Sequence, residues 1–264
     1  MHSLARAVEA LLRKTADEIV LPRFQNLAVS EISEKTPGDF VTIADKESEL
    51  CLASGLAAIL PEARIIGEEA CAENPALLDA INDGAVWLID PIDGTGNFAS
   101  GKSPFGMMIA LLEDGNRSAG WLFDPVSGRM CHASRGRGAF IDGARVQARE
   151  SGGALPVAAL ALHFLSEERA NALKARARGH FDIVPIPRCA AEQYPRLVLG
   201  TNDISLFERS LPWDHAPGAL FLEEAGGMIR RNDGSDYRVG DGKSGLLGAS
   251  SPRLWDQAAR VLFG

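Results

Sequence analysis

An apolar run ends on two acids in the segment Ala85-Val86-Trp87-Leu88-Ile89-Asp90-Pro91-Ile92-Asp93-Gly94-Thr95. The run predicts a buried strand that ends at Asp90. Asp90 and Asp93 flank a proline that fixes the backbone, and two like charges held this close repel unless a cation lies beside them. The carbonyl of Ile92 is free to add a neutral oxygen ligand, and Gly94 with Thr95 can offer backbone N–H groups to an anion. The segment therefore predicts a cation held next to a phosphate.

Two other phosphate-binding patterns overlap this segment. Residues 96–103 match the P-loop, and residues 94–99 match the dinucleotide fingerprint, with Glu113 at the distance of a ribose-binding acid. Both patterns need a helix directly after the glycines. Pro104 and Gly106 weaken that helix for the P-loop, and Gly101 and Pro104 weaken it for the fingerprint. Neither pattern uses the two acids. We therefore favour the interpretation as a cation site.

Length and composition indicate an ordinary globular protein. The chain has 264 residues, of which 46% are hydrophobic and 23% charged. At ~150 residues per domain this length allows one large domain or two interlocked halves. The net charge of −8 argues against broad binding to nucleic acid or to an anionic membrane. No stretch is apolar enough for a membrane span, so we expect neither a nucleic-acid nor a membrane partner.

The N-terminal segment and the cysteines predict a cytoplasmic protein. Charged residues interrupt every apolar run before Pro22, which indicates an amphipathic helix rather than a signal peptide. The four cysteines are widely spaced, without a C-x-x-C pair, and are expected to be reduced thiols. A cysteine nucleophile is the alternative, and a buried small apolar side chain is the favoured role. The cysteines are Cys51, Cys71, Cys131 and Cys189.

The rest of the chain predicts α+β or mixed α/β architecture. Short apolar stretches separated by turn signals indicate an antiparallel meander over 106–140. Strands are expected at 157–164 and 181–186. No repeat or linker divides the chain, and residues 144–155 are the best candidate for a domain boundary. Beyond the first, the predicted helices cover 45–60, 167–178, 190–199, 212–225 and 253–263.

Three separated motifs resemble the signatures of the inositol monophosphatase family. They are Ile66-Gly67-Glu68-Glu69, Asp90-Pro91-Ile92-Asp93-Gly94-Thr95 and Pro212-Trp213-Asp214-His215-Ala216, with Ala225-Gly226-Gly227 behind the last. The resemblance implies the layered α-β-α-β-α sandwich of the inositol monophosphatase and fructose-1,6-bisphosphatase type. It implies a single domain, 1–264, in which residues 1–148 carry the metal site and residues 149–264 contribute Asp214.

The resemblance also implies Mg²⁺-dependent hydrolysis of a small phosphate monoester by a metal-activated water. Glu68, Asp90 and the Ile92 carbonyl would hold one ion, and Asp90, Asp93 and Asp214 a second. All-oxygen ligands point to Mg²⁺ rather than zinc. Glu68 with Thr95 would orient the water, while Asp93, Gly94, Thr95 and Asp214 would contact the phosphate. Lithium sensitivity and a homodimer are further expectations from the resemblance.

A loop near the N-terminus resembles the mobile loop of the family. Asp45 would help to hold a third, weaker Mg²⁺, and Lys35 would act in catalysis, with the Pro37-Gly38 turn between them. Each singled-out residue also has a plainer interpretation. Lys35 would be a solvated surface charge and Glu69 a solvent-facing neighbour of Glu68. Asp214 would be a helix N-cap and Trp213 core packing.

The sequence departs from the family where the alcohol would bind. Gly96 replaces a larger residue, and Arg188-Cys189-Ala190-Ala191-Glu192-Gln193-Tyr194 replaces a small-residue stretch. Ala191 and the charged Glu192 are therefore expected to contact the leaving group. The family carries an acid shortly before the last motif. In this sequence the corresponding acid is Glu208, in Phe207-Glu208, one position out of register. Inositol phosphate, histidinol phosphate, sugar phosphates and nucleotide 3′-phosphates all stay open as the small phosphorylated metabolite.

Two rival functions remain at this stage. One is a non-catalytic binding or regulatory protein that keeps the fold. The other is a P-loop nucleotidase or kinase that depends on Lys102. The resemblance also accounts for part of the net negative charge, because four acids are expected to converge on cations: Glu68, Asp90, Asp93 and Asp214.

Overall fold

The computed structural model describes residues 4–36 and 38–264. Pro37 of the Pro-Gly turn lies outside the described residues. A π-helical turn, Ala16–Val20, and 3₁₀ turns at Val29–Glu31 and Pro75–Ala80 connect the regular helices. The helices are α1 Ala5–Thr15, α2 Leu21–Arg23, α3 Ile43–Ile59, α4 Glu68–Glu73, α5 Thr95–Ala99, α6 Glu167–Ala177, α7 Ala190–Val198, α8 Pro212–Glu224 and α9 Pro252–Phe263.

The strands form a hairpin and two larger sheets. They are β1 Ile32–Thr36, β2 Asp39–Thr42, β3 Arg64–Gly67, β4 Ala85–Asp93, β5 Gly106–Glu113, β6 Asn116–Phe123, β7 Met130–Ser134, β8 Gly138–Ile141, β9 Ala144–Val146, β10 Val157–Ala161, β11 Asp182–Val184, β12 Ile204–Phe207, β13 Met228–Arg231 and β14 Leu246–Ala249. The hairpin is β1-β2. The seven-stranded sheet has the order β3-β4-β5-β6-β7-β8-β9, and the five-stranded sheet the order β11-β10-β12-β14-β13.

Five layers alternate between helices and sheets. Helices α1 and α3 cover one face of the seven-stranded sheet, where Trp87 and Ile89 are buried. Helices α7 and α8 lie between the sheets, on the face that carries Val86 and Leu88. Helices α6 and α9 cover the far face of the five-stranded sheet. Strand β4 is thus covered on both faces, which explains its continuous apolar run, and the predicted α-β-α-β-α sandwich is confirmed.

Two boundaries differ from the sequence prediction. Strand β4 continues to Asp93, and its register with β5 is irregular between Asp90 and Asp93, so the prediction that it ends at Asp90 was wrong. Helix α3 begins at Ile43 because Thr42 and Asp45 form a capping box. The first helical run ends at Arg23, in agreement with the predicted end near Pro22. The meander over β5 to β8 is confirmed.

Helix α8 approaches the seven-stranded sheet closely at Gly120. A Cβ atom there would lie 2.7 Å from Pro217 Cα, closer than packed atoms allow. Glycine in β6 therefore lets α8 lie against the sheet and carry Asp214 toward the end of β4. Among the described residues, no helix is both long and apolar enough to cross a membrane.

Candidate metal centre and active-site cleft

A cleft of about 470 Å³ lies where the two large sheets meet the hairpin and the central helices. This volume lies within the usual range for small-molecule sites, ~300–1,000 Å³. The end of β4, the start of α7, the start of α8 and the segment after β10 supply its walls, together with residues 38–40 of the hairpin. Residues distant in sequence therefore meet at one opening.

Three carboxylates from separate elements converge in this cleft. Glu68 opens α4, Asp90 lies on β4 and Asp214 lies in the first turn of α8. One oxygen from each lies within 4.8 Å of the others. Asp90 is only 2% exposed, and its Oδ1 has no hydrogen-bond partner within the described part of the chain. A buried, unpaired carboxylate oxygen beside two further carboxylates fits a cation site.

The protonation of the buried acids supports this interpretation. Burial raises the pKa of Asp90 well above its ordinary value, and the charges of Glu68, Asp93 and Asp214 raise it further. Burial and then Glu68 likewise raise the pKa of Asp214. Burial raises the pKa of Asp93 to about 6 even though the Ala191 N–H donates to its Oδ2 at 2.6 Å. A divalent cation would remove this repulsion, and a set of carboxylate oxygens suits Mg²⁺ better than zinc.

Asp214 is the third residue of α8, and its N-cap is Leu211. The plainer interpretation of Asp214 as the N-cap was therefore wrong. Proline at the first helical position favours a start at Pro212, which leaves Asp214 in the first turn, near the positive end of the helix. Trp213 is buried in the core, as the plainer interpretation has it.

Thr95 connects the end of β4 to α3. Its hydroxyl lies 2.8 Å from the Ile92 carbonyl oxygen and 3.1 Å from Asp45 Oδ1. Asp45 Oδ2 accepts from the backbone N–H and the hydroxyl of Thr42. Burial raises the pKa of Asp45 to about 7. Asp45 thus lies behind Thr95 and is not among the residues that line the cleft.

Gly94 allows this turn because its φ is +83°, in the left-handed region. A Cβ atom at Gly94 would lie 3.3 Å from the carbonyl oxygens of Arg188 and Pro104. The turn places Thr95 at the first position of α5, beside the carboxylates. Side chains larger than glycine would strain both the backbone and its neighbours here.

Lys35 and Glu69 are both more enclosed than their plainer interpretations predict. Lys35 Nζ donates to Glu68 Oε1 at 3.0 Å and to Glu69 Oε1 at 2.7 Å, and its side chain is only 17% exposed. Burial lowers the pKa of Lys35, but the two glutamates outweigh this effect and raise it above its ordinary value. Glu69 is buried. The interpretations of Lys35 as a solvated surface charge and of Glu69 as a solvent-facing residue were therefore wrong.

Glu49 is a positioning residue that the sequence interpretation missed. Its carboxylate accepts from the backbone N–H groups of Glu69 and Ala70 at 2.7 and 2.8 Å, which anchors the start of α4 and with it Glu68. A Cβ atom at Gly67 would lie 2.2 Å from Glu49 Cδ. In the sequence, the one signal for this role is an acid on the helix face that also carries Leu52 and Leu56.

Glu192 lies outside the cleft, contrary to the prediction. Its carboxylate accepts from Arg196 Nε at 2.7 Å and pairs with Arg129. The helical period explains the correction, because Ala190 and Gln193 of α7 line the cleft while the two residues between them turn away. Ala191 is buried, and its N–H contacts Asp93 rather than the cleft. The prediction that both contact the leaving group was wrong.

Several lining residues were not predicted as site residues from the sequence. Gln193 is buried, donates to Ser205 Oγ at 2.6 Å and keeps its Oε1 without a partner among the described residues. Glu208 lines the cleft, and burial raises its pKa. His163, Arg188 and Arg209 also line the cleft from irregular segments, where no periodicity marks their direction.

The glycine patterns do not form their motifs. Helix α5 follows β4 but ends at Ala99, so residues 96–103 do not connect a strand to a helix. Lys102 lies beyond the helix. The P-loop and the dinucleotide fingerprint are therefore structurally wrong for this chain.

Two known proteins are similar in sequence to this chain over most of its length. A Nus factor SuhB of Vibrio cholerae serotype O1 is 30% identical over 260 residues, which cover 96% of this chain and 93% of that protein. A histidinol-phosphatase of Chlorobaculum parvum is 31% identical over 250 residues, which cover 91% and 90%.

Solved structures share the fold. An IMPase from Thermotoga maritima superposes with a TM-score of 0.83 at 24% identity, covering 99% of this chain and 97% of that one. The model of the inositol monophosphatase family matches residues 1–262. The chain, with its acidic signature motifs in one cleft of a five-layered sandwich, therefore belongs to the inositol monophosphatase family.

Proposed function

We propose that the protein hydrolyses a small phosphate monoester with Mg²⁺ bound at the buried carboxylates. The observation that carries this proposal is the convergence of Glu68, Asp90 and Asp214, with oxygens within 4.8 Å of one another, in a cleft of small-molecule size. Membership of the inositol monophosphatase family and the relative named histidinol-phosphatase support phosphatase activity.

Five residues would hold two Mg²⁺ ions: Glu68, Asp90, Asp93, Asp214 and, through its carbonyl, Ile92. When bound, Mg²⁺ lowers the pKa of a coordinated water and offsets negative charge on the phosphoryl oxygens. A third ion at Asp45 stays a prediction. Both oxygens of Asp45 already take part in hydrogen bonds, with Thr42 and with Thr95.

The protein's own groups would orient the reactants. The Thr95 hydroxyl donates its single hydrogen bond to the Ile92 carbonyl or to Asp45, so its lone pairs can accept a hydrogen bond from the attacking water. Glu68 would hold that water from the other side. The backbone N–H groups of Gly94 and Thr95 would bind the phosphoryl oxygens. Lys35 would supply positive charge beside Glu68.

The alcohol portion would lie against Gln193 and Glu208. Both carry a buried acceptor oxygen without a partner among the described residues. Hydroxyl or ammonium donors of the substrate would satisfy them. Inositol phosphate, histidinol phosphate, sugar phosphates and nucleotide 3′-phosphates all offer such donors. The four free cysteines support a location in the reducing cytoplasm. The homodimer stays a prediction.

A panel of these phosphomonoesters tests the proposal. We expect phosphate release that needs Mg²⁺, stops with EDTA, is inhibited by millimolar Li⁺ and falls at least about a thousandfold in Asp90→Asn. Asp256→Asn, an exposed aspartate on α9, is the matched control and keeps full activity. Activity that survives both EDTA and Asp90→Asn would contradict the proposal.

A second candidate is a binding or regulatory role without catalysis, which the relative named as a Nus factor favours. It predicts that a stable partner is retained in a pull-down and that Asp93→Asn leaves this partner bound. Loss of the partner together with hydrolysis would instead link binding to the acidic cleft.

A further inference from the structure

Besides the exposed Lys102 and the buried His215, three basic side chains line the solvent side of the acidic cleft. Arg188 precedes α7, Arg209 lies between β12 and α8, and His163 follows β10. We call these three residues the basic wall. Arg188 is exposed and the Arg209 side chain is 39% exposed, whereas Asp90 is 2% exposed. The cleft therefore runs from buried carboxylates to accessible cations.

Arg188 is held at this place by an unusual backbone. Its φ is +57°, in the left-handed region that non-glycine side chains rarely adopt. Its carbonyl oxygen packs against the Gly94 turn. Within the described residues, no hydrogen bond or ion pair engages its guanidinium. A strained arginine with free donors at a cleft indicates function more than stability.

Arg209 and His163 complete the wall. Arg209 lies over the ring of Phe164, 5.1 Å from its centre, which fixes the guanidinium at the opening. Burial lowers the pKa of His163, and the charges of Arg188 and Arg209 lower it further. Both arginines are therefore near His163 and repel its protonated form. The charge of Arg209 also acts on Asp214, whose pKa it lowers.

Asp39 and Glu208 are two other acids that line the cleft. Asp39 pairs with Arg209, but at 3.6 Å, which is beyond good hydrogen-bond distance, and both side chains are about a third exposed. Glu208 is buried, which raises the pKa of its carboxyl, and the charge of Arg169 acts against this rise. Neither acid pairs with Arg188. The donors of both guanidinium groups thus stay available to a ligand.

We propose that the substrate carries a second anionic group, a phosphate or a carboxylate, on its alcohol portion, and that Arg188 and Arg209 bind this group. The scissile phosphate would then lie at the buried carboxylates. The planar guanidinium matches the paired oxygens of either anion. This inference rests on the proposed phosphomonoesterase activity and narrows its substrate class.

Matched synthetic esters test the inference. The monophosphates of butanediol, hexanediol and octanediol are compared with the corresponding bisphosphates and with ω-carboxyalkyl phosphates of equal length. We expect kcat/KM for initial phosphate release, per scissile group, to be at least about tenfold higher for the doubly anionic esters at one spacing. The preferred anion tells phosphate from carboxylate. Equal efficiency at every spacing would overturn the inference.

Variants assign the preference to the basic wall. Arg188→Gly suits the left-handed backbone, and Arg209→Gln keeps the stem on Phe164, so both are expected to fold. Each should move the ratio of doubly to singly anionic kcat/KM toward one, mainly through KM. Arg178→Gln, an equal charge change at an exposed site away from the cleft, should leave the ratio unchanged. A preference that survives the double variant would overturn the inference.

Calorimetry separates this inference from the proposed function. If no ester is hydrolysed with Mg²⁺, the proposed function fails, and titration of hexanediol bisphosphate still tests the basic wall. Tighter binding to the wild type than to the Arg188→Gly, Arg209→Gln double variant supports the inference. Equal affinity contradicts it.

Discussion

Lys35 Nζ lies 3.0 Å from Glu68 Oε1, so a lysine from the β1-β2 hairpin neutralises a carboxylate of the proposed Mg²⁺ site. The same ammonium contacts Glu69 at 2.7 Å. Lysine and Mg²⁺ are therefore expected to compete for one acid. Binding of the ion would then loosen the hold of the hairpin on α4.

Replacing Lys35 should consequently strengthen Mg²⁺ binding while destabilising the metal-free protein. Lys35→Gln removes a competing cation, and we expect a Kd for Mg²⁺ about threefold to tenfold lower by titration calorimetry, corresponding to about 1 kcal/mol. Lys174→Gln, on the exposed face of α6, controls for net charge. Weaker Mg²⁺ binding in Lys35→Gln would contradict the competition.

The metal-free protein should lose stability as pH rises from about 4 to about 7. Burial raises the pKa of Asp93 from 3.8 to about 6 and that of Asp45 from 3.8 to about 7. Between these values the folded state binds more protons than the unfolded chain, so the free energy of unfolding falls with pH. His215, whose pKa burial lowers from 6.5 to about 3, acts in the opposite direction but is a single group.

Thermal unfolding in EDTA across this pH range checks the expectation. Mg²⁺ should raise the Tm more at pH near 8 than near 5, because protons compete with the ion. Asp93→Asn should flatten the slope of the metal-free protein. Stability that rises steadily with pH in EDTA would refute the proposed protonation of the acids.

Thr95 should need its hydroxyl rather than its shape. Thr95→Val keeps the volume but removes the donor to Ile92 and Asp45, and we expect kcat to fall about a hundredfold to ten-thousandfold with little change in KM. Thr95→Ser restores the hydroxyl and should recover most of the turnover. Equal loss in both variants would assign Thr95 a packing role.

Glu192 should matter for stability and not for turnover. Glu192→Gln weakens two ion pairs, with Arg129 and Arg196, at a side chain that is 17% exposed. We expect a loss of about 1–3 kcal/mol in the free energy of unfolding. Steady-state kinetics should agree with the wild type within about twofold. A marked rise in KM would return Glu192 to the substrate site.

Gly120 and Gly96 should respond in opposite ways to alanine. Gly120→Ala places a Cβ 2.7 Å from Pro217 Cα and should destabilise the fold by about 1–3 kcal/mol. At Gly96 the nearest atom to a new Cβ is 3.6 Å away, and the residue lies in α5, where alanine is favoured by about 0.5–1 kcal/mol. Denaturant unfolding of the pair measures both effects.

Local patterns in the sequence predicted the parts of the fold that depend on local physics. The apolar run before Asp90 and the turn signals of the meander mark β4 to β8 because strand burial and turn chemistry act over a few residues. Asp90 and Asp93 could be predicted as candidate metal ligands for the same reason. Asp214, more than a hundred residues later, was identified only through the resemblance to a family.

The errors arose where distant partners determine the outcome. Glu192 turns toward Arg129, which lies just before β7, and no periodicity within α7 reveals that pairing. Glu69 is enclosed by Lys35 and by the anchoring acid Glu49. Arg188 and Arg209 lie on irregular segments whose direction depends on the surrounding layers. The helical phase and the tertiary neighbours, rather than composition, determined these positions.

The left-handed Arg188 precedes the backbone N–H that holds Asp93 by only three residues. One short segment therefore combines an amide that needs no particular side chain with a charged side chain at the opening of the cleft. Substitution at position 188 changes the charge at the opening while the amide of Ala191 continues to hold the acid. The selectivity of the opening can thus change without disturbing the contact that holds Asp93.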